Sequence, residues 1–182
     1  MRGYFGIGVE RISKSMNLGS LQRSANAFGA SFFFTVAANL KQREVRLSDT
    51  SSAAEHLPVY HFPDIEALTL PRHCRLVGVE LTDDAIDLPS FQHPVAAAYV
   101  LGPERGSLSP EMQARCDVVV KIPTEFCINV ALAGALVMYD RVRVMGRFPP
   151  RPASSLVRPD PLEPHVHGAQ KIRSKTPDSS SS

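Results

Sequence analysis

Apolar and polar positions alternate along the chain as short β-like runs separated by helical stretches, the pattern of a mainly parallel sheet covered by helices. Phe5 to Val9 reads as a first strand, and Phe32 to Val36, aromatic and β-branched, as a second strand buried on both faces. Between them Leu21, Ala25 and Phe28 recur at spacings of four and three, on one face of a helix from about Leu18 to Phe28. Asn17 suits the N-cap of that helix and Gly29 its C-terminal stop. Residues 41–56 are polar and read as a long loop. Pro58 to Phe62 then forms a short strand, and Pro63 opens a brief helix through Leu68. Leu76 to Leu81 and Val95 to Leu101 are further strands, separated by an acidic turn around Asp83, Asp84 and Asp87. Ser109-Pro110-Glu111 starts a short helix ending near Arg115, and Val118 to Ile122 is the last strand. Asn129 to Val142 forms a long helix whose Ala and Gly residues at 131, 133, 134 and 135 permit close packing on the sheet or on a second subunit.

From Phe148 onward seven prolines, a Ser-rich end and almost no apolar periodicity describe a disordered tail, so the expected organisation is a domain over 1–147 and a tail over 148–182. The whole chain of 182 residues suffices for one hydrophobic core. No apolar run approaches the roughly 18 to 20 residues that span a bilayer, and the N-terminus lacks a signal-peptide pattern. Three scattered cysteines, Cys74, Cys116 and Cys127, without a CxxC pair argue against a disulfide framework or a zinc site. A reducing cytoplasm and no metal are the expectations. His165 and His167 in the tail make too weak a ligand set to alter that.

Charge narrows little. The net is +2, and the tail, with five Lys and Arg against three Asp and Glu, accounts for it. The neutral remainder does not advertise nucleic-acid binding by bulk electrostatics. Any affinity for nucleic acid has to come from local clusters such as Lys41, Arg43 and Arg46, or from a doubled surface in an oligomer.

Three segments far apart in sequence carry candidate chemistry: Asn17 to Gly29 with Arg23 within it, Leu101-Gly102-Pro103-Glu104-Arg105-Gly106, and Ile122-Pro123 through Cys127-Ile128-Asn129-Val130. Singly each has a plain explanation: a cap with a solvated arginine, turn punctuation, and a helix start. Two of them, however, follow the end of an apolar strand, where open α/β sheets place ligands. Together they resemble the three motifs of the SpoU (TrmH) family of SPOUT methyltransferases. In that family an Asn precedes an Arg by six positions on a helix closed by Gly, as Asn17, Arg23 and Gly29 do here. Gly102, Glu104 and Gly106 match the second motif with a shorter spacing. Ile122-Pro123 and Cys127-Ile128-Asn129-Val130 match the third, with Cys127 in the place of the family serine and a shorter loop before it. Glu55 to Val59 also looks like the middle of family members, and the likeness covers about residues 3–146.

The resemblance implies a parallel sheet flanked by helices with a deep C-terminal trefoil knot, an exception to ordinary chain topology. It implies S-adenosylmethionine (AdoMet) as cofactor, held around Glu80, Gly102, Ile122 and Cys127. It implies methylation of a ribose 2′-hydroxyl of RNA, with tRNA the first choice of substrate and rRNA the second. A homodimer packed through the first and last helices is implied too. Arg23 is then the principal catalytic residue. Glu104 is expected to orient Arg23 through a charge-assisted pair, and Asn17 and Asn129 to brace the loops. Three alternatives belong beside this: a silent RNA-binding protein of the same fold, Cys127 as a nucleophile, and a Rossmann-type dehydrogenase. The last fails on context, because Gly6-x-Gly8 lies within the strand and the third glycine is missing.

Overall fold

The computed structural model describes residues 3–40, 57–154 and 156–163. The polar stretch 41–56, with Lys41, Arg43 and Arg46, and the pair His165 and His167 lie outside the described residues. The chain divides into two units, Met1–Arg147 and Phe148–Ser182. Over its described residues the second unit contains neither helix nor strand.

The first unit is a seven-stranded sheet. Its strands are β1 (Tyr4–Glu10), β2 (Phe32–Val36), β3 (Val59–Phe62), β4 (Arg75–Val79), β5 (Ile86–Asp87), β6 (Ala96–Leu101) and β7 (Val118–Lys121). They lie in the order β3-β2-β1-β6-β4-β7-β5, and every pairing is parallel. The helices are α1 (Ser15–Ala27), α2 (Pro110–Arg115) and α3 (Val130–Met145).

Both faces of the sheet are covered. Ile7, Val9, Phe33 and Tyr99 pack with Leu18, Leu21 and Val137 on the side of α1 and α3. Phe32, Phe34, Val100 and Met112 form a second cluster on the side of α2. Successive residues of a strand point to opposite faces, so the aromatic run of β2 feeds both clusters. Gly6 and Gly8 of β1 serve this packing, since a Cβ on them would stand 2.2 and 2.5 Å from the rings of Phe32 and Phe34. Gly134 does the same on α3, where a Cβ would come within 2.3 Å of Leu21 on α1. The small residues of the last helix therefore pack it on α1 and the sheet.

Strands and helices fall close to the sequence reading, with three corrections. Helix α1 begins three residues earlier than expected, at Ser15, with Lys14 at the N-cap and no side-chain cap bond. Asn17 is thus inside the first turn and its side chain is free for other work. The helix ends as expected: Gly29 has φ +74°, its N–H donates to Asn26 O at 3.1 Å, and Ala30 N–H donates to Ala25 O at 2.9 Å. This is the reciprocal closure a left-handed glycine allows. Second, Pro63 to Leu68 is a turn and not a helix. Asp64 Oδ1 accepts the Ala67 N–H at 2.8 Å as an N-cap would, but the backbone closes a single i→i+3 bond, Leu68 N–H to Ile65 O at 3.1 Å, and the turn does not propagate into a helix. Third, the acidic turn after β4 contains the short edge strand β5 and a 3₁₀ turn, Leu88–Ser90.

A buried polar cluster fastens α3 to the amino end of β6. Asp140 accepts from His93 Nε2 at 3.1 Å and from Arg143 at 2.8 Å, and His93 Nδ1 accepts from the Tyr99 hydroxyl at 2.6 Å. Arg141 donates to that hydroxyl at 3.1 Å and to the carbonyls of Pro94 and Val95 at 2.6 and 2.9 Å. A buried guanidinium is tolerated because its donors are used. This cluster stands at the end of the sheet opposite to the site described next.

Candidate active site at the carboxyl ends of the strands

β1, β4, β6 and β7 are parallel neighbours, so the residues that follow them emerge along one edge. Glu10 and Arg11 close β1, Glu80 follows β4, Gly102 follows β6 and Ile122 follows β7. A pocket opens there, and Glu80, Gly102, Ile122 and Cys127 all line it together with Ile128 and Val130. Glu80 spans its rim: Oε2 accepts the Leu108 N–H at 2.7 Å and Oε1 accepts the Leu81 N–H at 2.9 Å. Gly102 leaves room, because a Cβ there would stand 3.0 Å from Leu108 N.

The three sequence motifs meet beside this pocket. Asn129 caps α3, its Oδ1 accepting from Ala131 N at 2.9 Å, and its Nδ2 donates to Asn17 Oδ1 at 3.0 Å. Asn17 Nδ2 in turn donates to Glu104 Oε1 at 3.2 Å. Glu104 Oε1 also accepts the Lys14 N–H at 2.9 Å, and Oε2 accepts the N–H and hydroxyl of Ser13, each at 3.1 Å. Partial burial pushes the Glu104 carboxyl upward. The backbone amides, with Asn17, outweigh it and hold the group below the usual carboxylate range.

Arg23 is not part of this relay. It is exposed on α1 and donates to Ser20 Oγ at 3.4 Å. The expected Glu104–Arg23 pair is absent, since the Glu104 oxygens face Ser13, Lys14 and Asn17 instead. Cys127 is exposed, and among the described residues no histidine is hydrogen-bonded to it. His61 is tied to Thr35 at 2.9 Å and His93 lies in the opposite cluster, so neither of these described histidines serves the thiol as a base.

Glu10 was not legible as a site residue. It is 1% exposed at the end of β1. Its two oxygens accept the hydroxyl and N–H of Ser109 at 2.6 and 2.9 Å. Ser109 at the same time caps α2, its Oγ accepting from Met112 N at 3.1 Å. Arg11 NH2 donates to Ser107 O at 2.8 Å. The loop from Gly102 to Ser109 is therefore strapped to β1, β4 and α1. A carboxylate closing an apolar strand was the only available signal for Glu10, and it looks like any strand end.

A pocket at the carboxyl edge of an open parallel sheet, framed by a glycine loop and a helix start, is where α/β proteins of this architecture place nucleotide-like ligands. The chain belongs to the SpoU rRNA Methylase family, whose model matches residues 5–139. It is 26% identical over 140 residues to the tRNA (guanosine(18)-2′-O)-methyltransferase TARBP1 of Mus musculus, covering 72% of this chain and 9% of that protein. It is 28% identical over 137 residues to a putative TrmH family tRNA/rRNA methyltransferase of Staphylococcus haemolyticus, covering 70% of this chain and 53% of that one. Among solved structures, the SpoU methyltransferase AviRb of Streptomyces viridochromogenes matches with a TM-score of 0.67 and 25% identity, over 79% of this chain and 60% of that one. The chain thus spans about half the length of the bacterial relative and a small fraction of the mouse one.

AdoMet is the cofactor of this family, and AviRb has also been solved in complex with it. The residues present fit it. The pocket is mainly apolar, Gly102 lets a flat ring approach the backbone, and peptide groups at Gly102, Ile122 and Cys127 can meet its polar edges. Among the described residues no three His, Cys, Asp or Glu side chains group as a metal site, and no helix is long and apolar enough to cross a membrane.

Proposed function

We propose that this chain methylates a ribose 2′-hydroxyl of RNA, with tRNA the first choice of substrate and rRNA the second. The observation that carries the reading is the convergence of three distant segments: the Asn17–Glu104–Asn129 relay stands beside the pocket lined by Glu80, Gly102, Ile122 and Cys127. The mouse and staphylococcal relatives suggest the substrate class, and the mouse one the 2′-O position.

AdoMet supplies a methyl group on a sulfonium, which is already a good leaving group. The chain's own work is alignment and handling of the hydroxyl proton. Glu80, Gly102, Ile122 and Cys127 hold the cofactor. The relay fixes the Glu104 loop against the starts of α1 and α3. Arg23 binds the neighbouring phosphate and stabilises the developing alkoxide; a guanidinium does not give up a proton near neutrality and is not the base.

Arg23 lies apart from its own Glu104, which favours a homodimer in which each site takes Arg23 from the other subunit. Leu132, Leu136 and Tyr139 on α3, at spacings of four and three, are exposed and apolar, and Met16 on α1 is 80% exposed. These are the faces the dimer would bury. The carboxyl-terminal trefoil knot is proposed on the family resemblance. We assign residues 1–147 to the catalytic domain, 148–182 to a tail, and the protein to the cytoplasm.

The test is transfer of labelled methyl from AdoMet to unmodified tRNA and rRNA, with mapping of 2′-O-methylnucleotides in total RNA with and without the gene. Arg23→Ala should abolish transfer while calorimetric AdoMet binding survives. Cofactor binding without transfer to any RNA would favour the silent RNA-binding reading, for which Cys127 in place of serine is the supporting feature.

A further inference from the structure

A second recess lies against the first, separated by the loop that carries Pro103 and Gly106, which line both. Its charged lining is Arg11, Lys14 and Arg105 against the single carboxylate of Glu104, a local excess of cations in a unit whose sequence is neutral overall. Glu104 points its oxygens at Ser13, Lys14 N–H and Asn17, away from pairing with these cations. Among the described residues Lys14 and Arg105 have no ion-pair partner. Arg11 reaches a carboxylate only at 3.9 Å, that of buried Glu10, which is already occupied by Ser109. Its guanidinium is steadied by one bond to Ser107 O, which leaves further N–H donors of the fork free.

The backbone is unusual at the same residue, as it is at Ala37, His73 and Leu156. Arg11 has φ +52°, a left-handed conformation disfavoured for a residue with a Cβ. Such outliers persist where the surroundings over-determine them, and they cluster at ligand sites. No aromatic side chain lines the recess, so it offers nothing for a base to stack on. What it offers is two guanidinium forks, Arg11 and Arg105, and the ammonium of Lys14, the chemistry of phosphate recognition.

We propose that this recess is a phosphate subsite, taking the RNA phosphodiester on the side of the target nucleotide opposite to the one that Arg23 binds. Arg11 and Arg105 are the forked donors, and Lys14 adds charge. The inference rests on the methyl-transfer reading for the source of the phosphate, and it adds a basic footprint at the carboxyl end of β1 to the one expected at residues 41–46. Arg23 and this subsite then grip different points of the backbone.

The experiment is tRNA binding by the full chain, followed by fluorescence anisotropy over a series of salt concentrations. Arg11→Gln, Lys14→Gln and Arg105→Gln should each weaken binding roughly three- to tenfold and lower the slope of log K against log salt by about one. AdoMet affinity should stay within about twofold, because phosphate contacts are made only by RNA. Arg11→Gln also loses the bond to Ser107, so Lys14→Gln and Arg105→Gln, which release no loop, keep the test standing if that variant misfolds. Unchanged slopes in both would overturn the subsite. Pyrophosphate binding that the substitutions abolish, with tRNA binding untouched, would assign the recess to a free nucleotide and also overturn it. Loss of slope in a protein that transfers no methyl would leave the subsite standing and sink the catalytic reading.

Discussion

Replacing Glu104 with Gln removes a charge and changes one acceptor into a donor while keeping the shape. Four donors converge on the two Glu104 oxygens. If the new amide nitrogen takes the Oε1 position, it meets Lys14 N–H and the Asn17 amide, two donors, and the link to Asn129 breaks. If it takes the Oε2 position, the Ser13 hydroxyl can reverse and accept, and only the Ser13 N–H is orphaned. The second orientation is the cheaper one. It costs one unsatisfied amide, about 1–3 kcal/mol when fully buried, plus the weakening of bonds that were charge-assisted. Glu104 is only half-buried and water reaches the site, so the net loss should be about 1–2 kcal/mol. Urea unfolding, with a slope of about 2 kcal/mol/M, would then move its midpoint down by roughly 0.5–1 M. The pH dependence sharpens the test. Glu104 titrates below the unfolded carboxylate, so its contribution is complete above that value, about 4.3, and is lost as pH falls through the lower folded one. The gap between wild type and Glu104→Gln should be constant near neutrality and close in acid. An unshifted midpoint, or a gap that persists in acid, would refute the carboxylate's role as the hub of the relay.

Glu10→Ala leaves the N–H and hydroxyl of Ser109 facing an apolar hole and should cost about 3 kcal/mol by urea unfolding, with Glu10→Gln nearer 1. A double cycle with Ser109→Ala that gave no coupling would sink that pairing. Cys127→Ser restores the family residue at the pocket and should keep AdoMet affinity, read by calorimetry, within about threefold; abolished methyl transfer with the cofactor still bound would reinstate a thiol nucleophile. Burial lowers the His93 pKa despite Asp140, so folding favours the neutral ring. Stability should fall as pH drops below about 6.5, where the unfolded chain gains a proton the native one resists, and a pH series in His93→Gln should lose that component.

Elements set by local patterning were readable from the chain alone. β2 is apolar at every position but Thr35 and was bounded correctly, and α2 announced itself by Ser109-Pro110. The Gly29 stop needed only three residues of context. Long-range polar pairings were a different matter. Asn17 looked like a cap because Asn before an apolar run favours capping, yet its partners are Glu104 and Asn129, 87 and 112 residues away. Pro63 suggested a helix, and the segment is capped by Asp64 like one, but it closes a single turn and is too short to propagate. Glu10 and Ser109 are 99 residues apart, and nothing near either announces the other. The resemblance grouped Asn17, Glu104 and Asn129 before their geometry was visible, but it also paired Glu104 with Arg23, which the relay leaves no room for. Tyr99, His93, Asp140 and Arg141 escaped notice for the same reason: each is ordinary where it stands in sequence.

The position of β1 in the sheet has a consequence for how the chain is made. β1 pairs with β2 on one side and with β6 on the other. The first partner leaves the ribosome soon after β1, while the second is complete only at Leu101. During that interval an apolar strand from the middle of the sheet waits with one edge open, as parallel pairings over long separations are slow to form. Such edges invite pairing with other chains. Yield on overexpression should therefore respond to slower synthesis or to chaperones more than to surface substitutions, a burden set by topology before any ligand is bound.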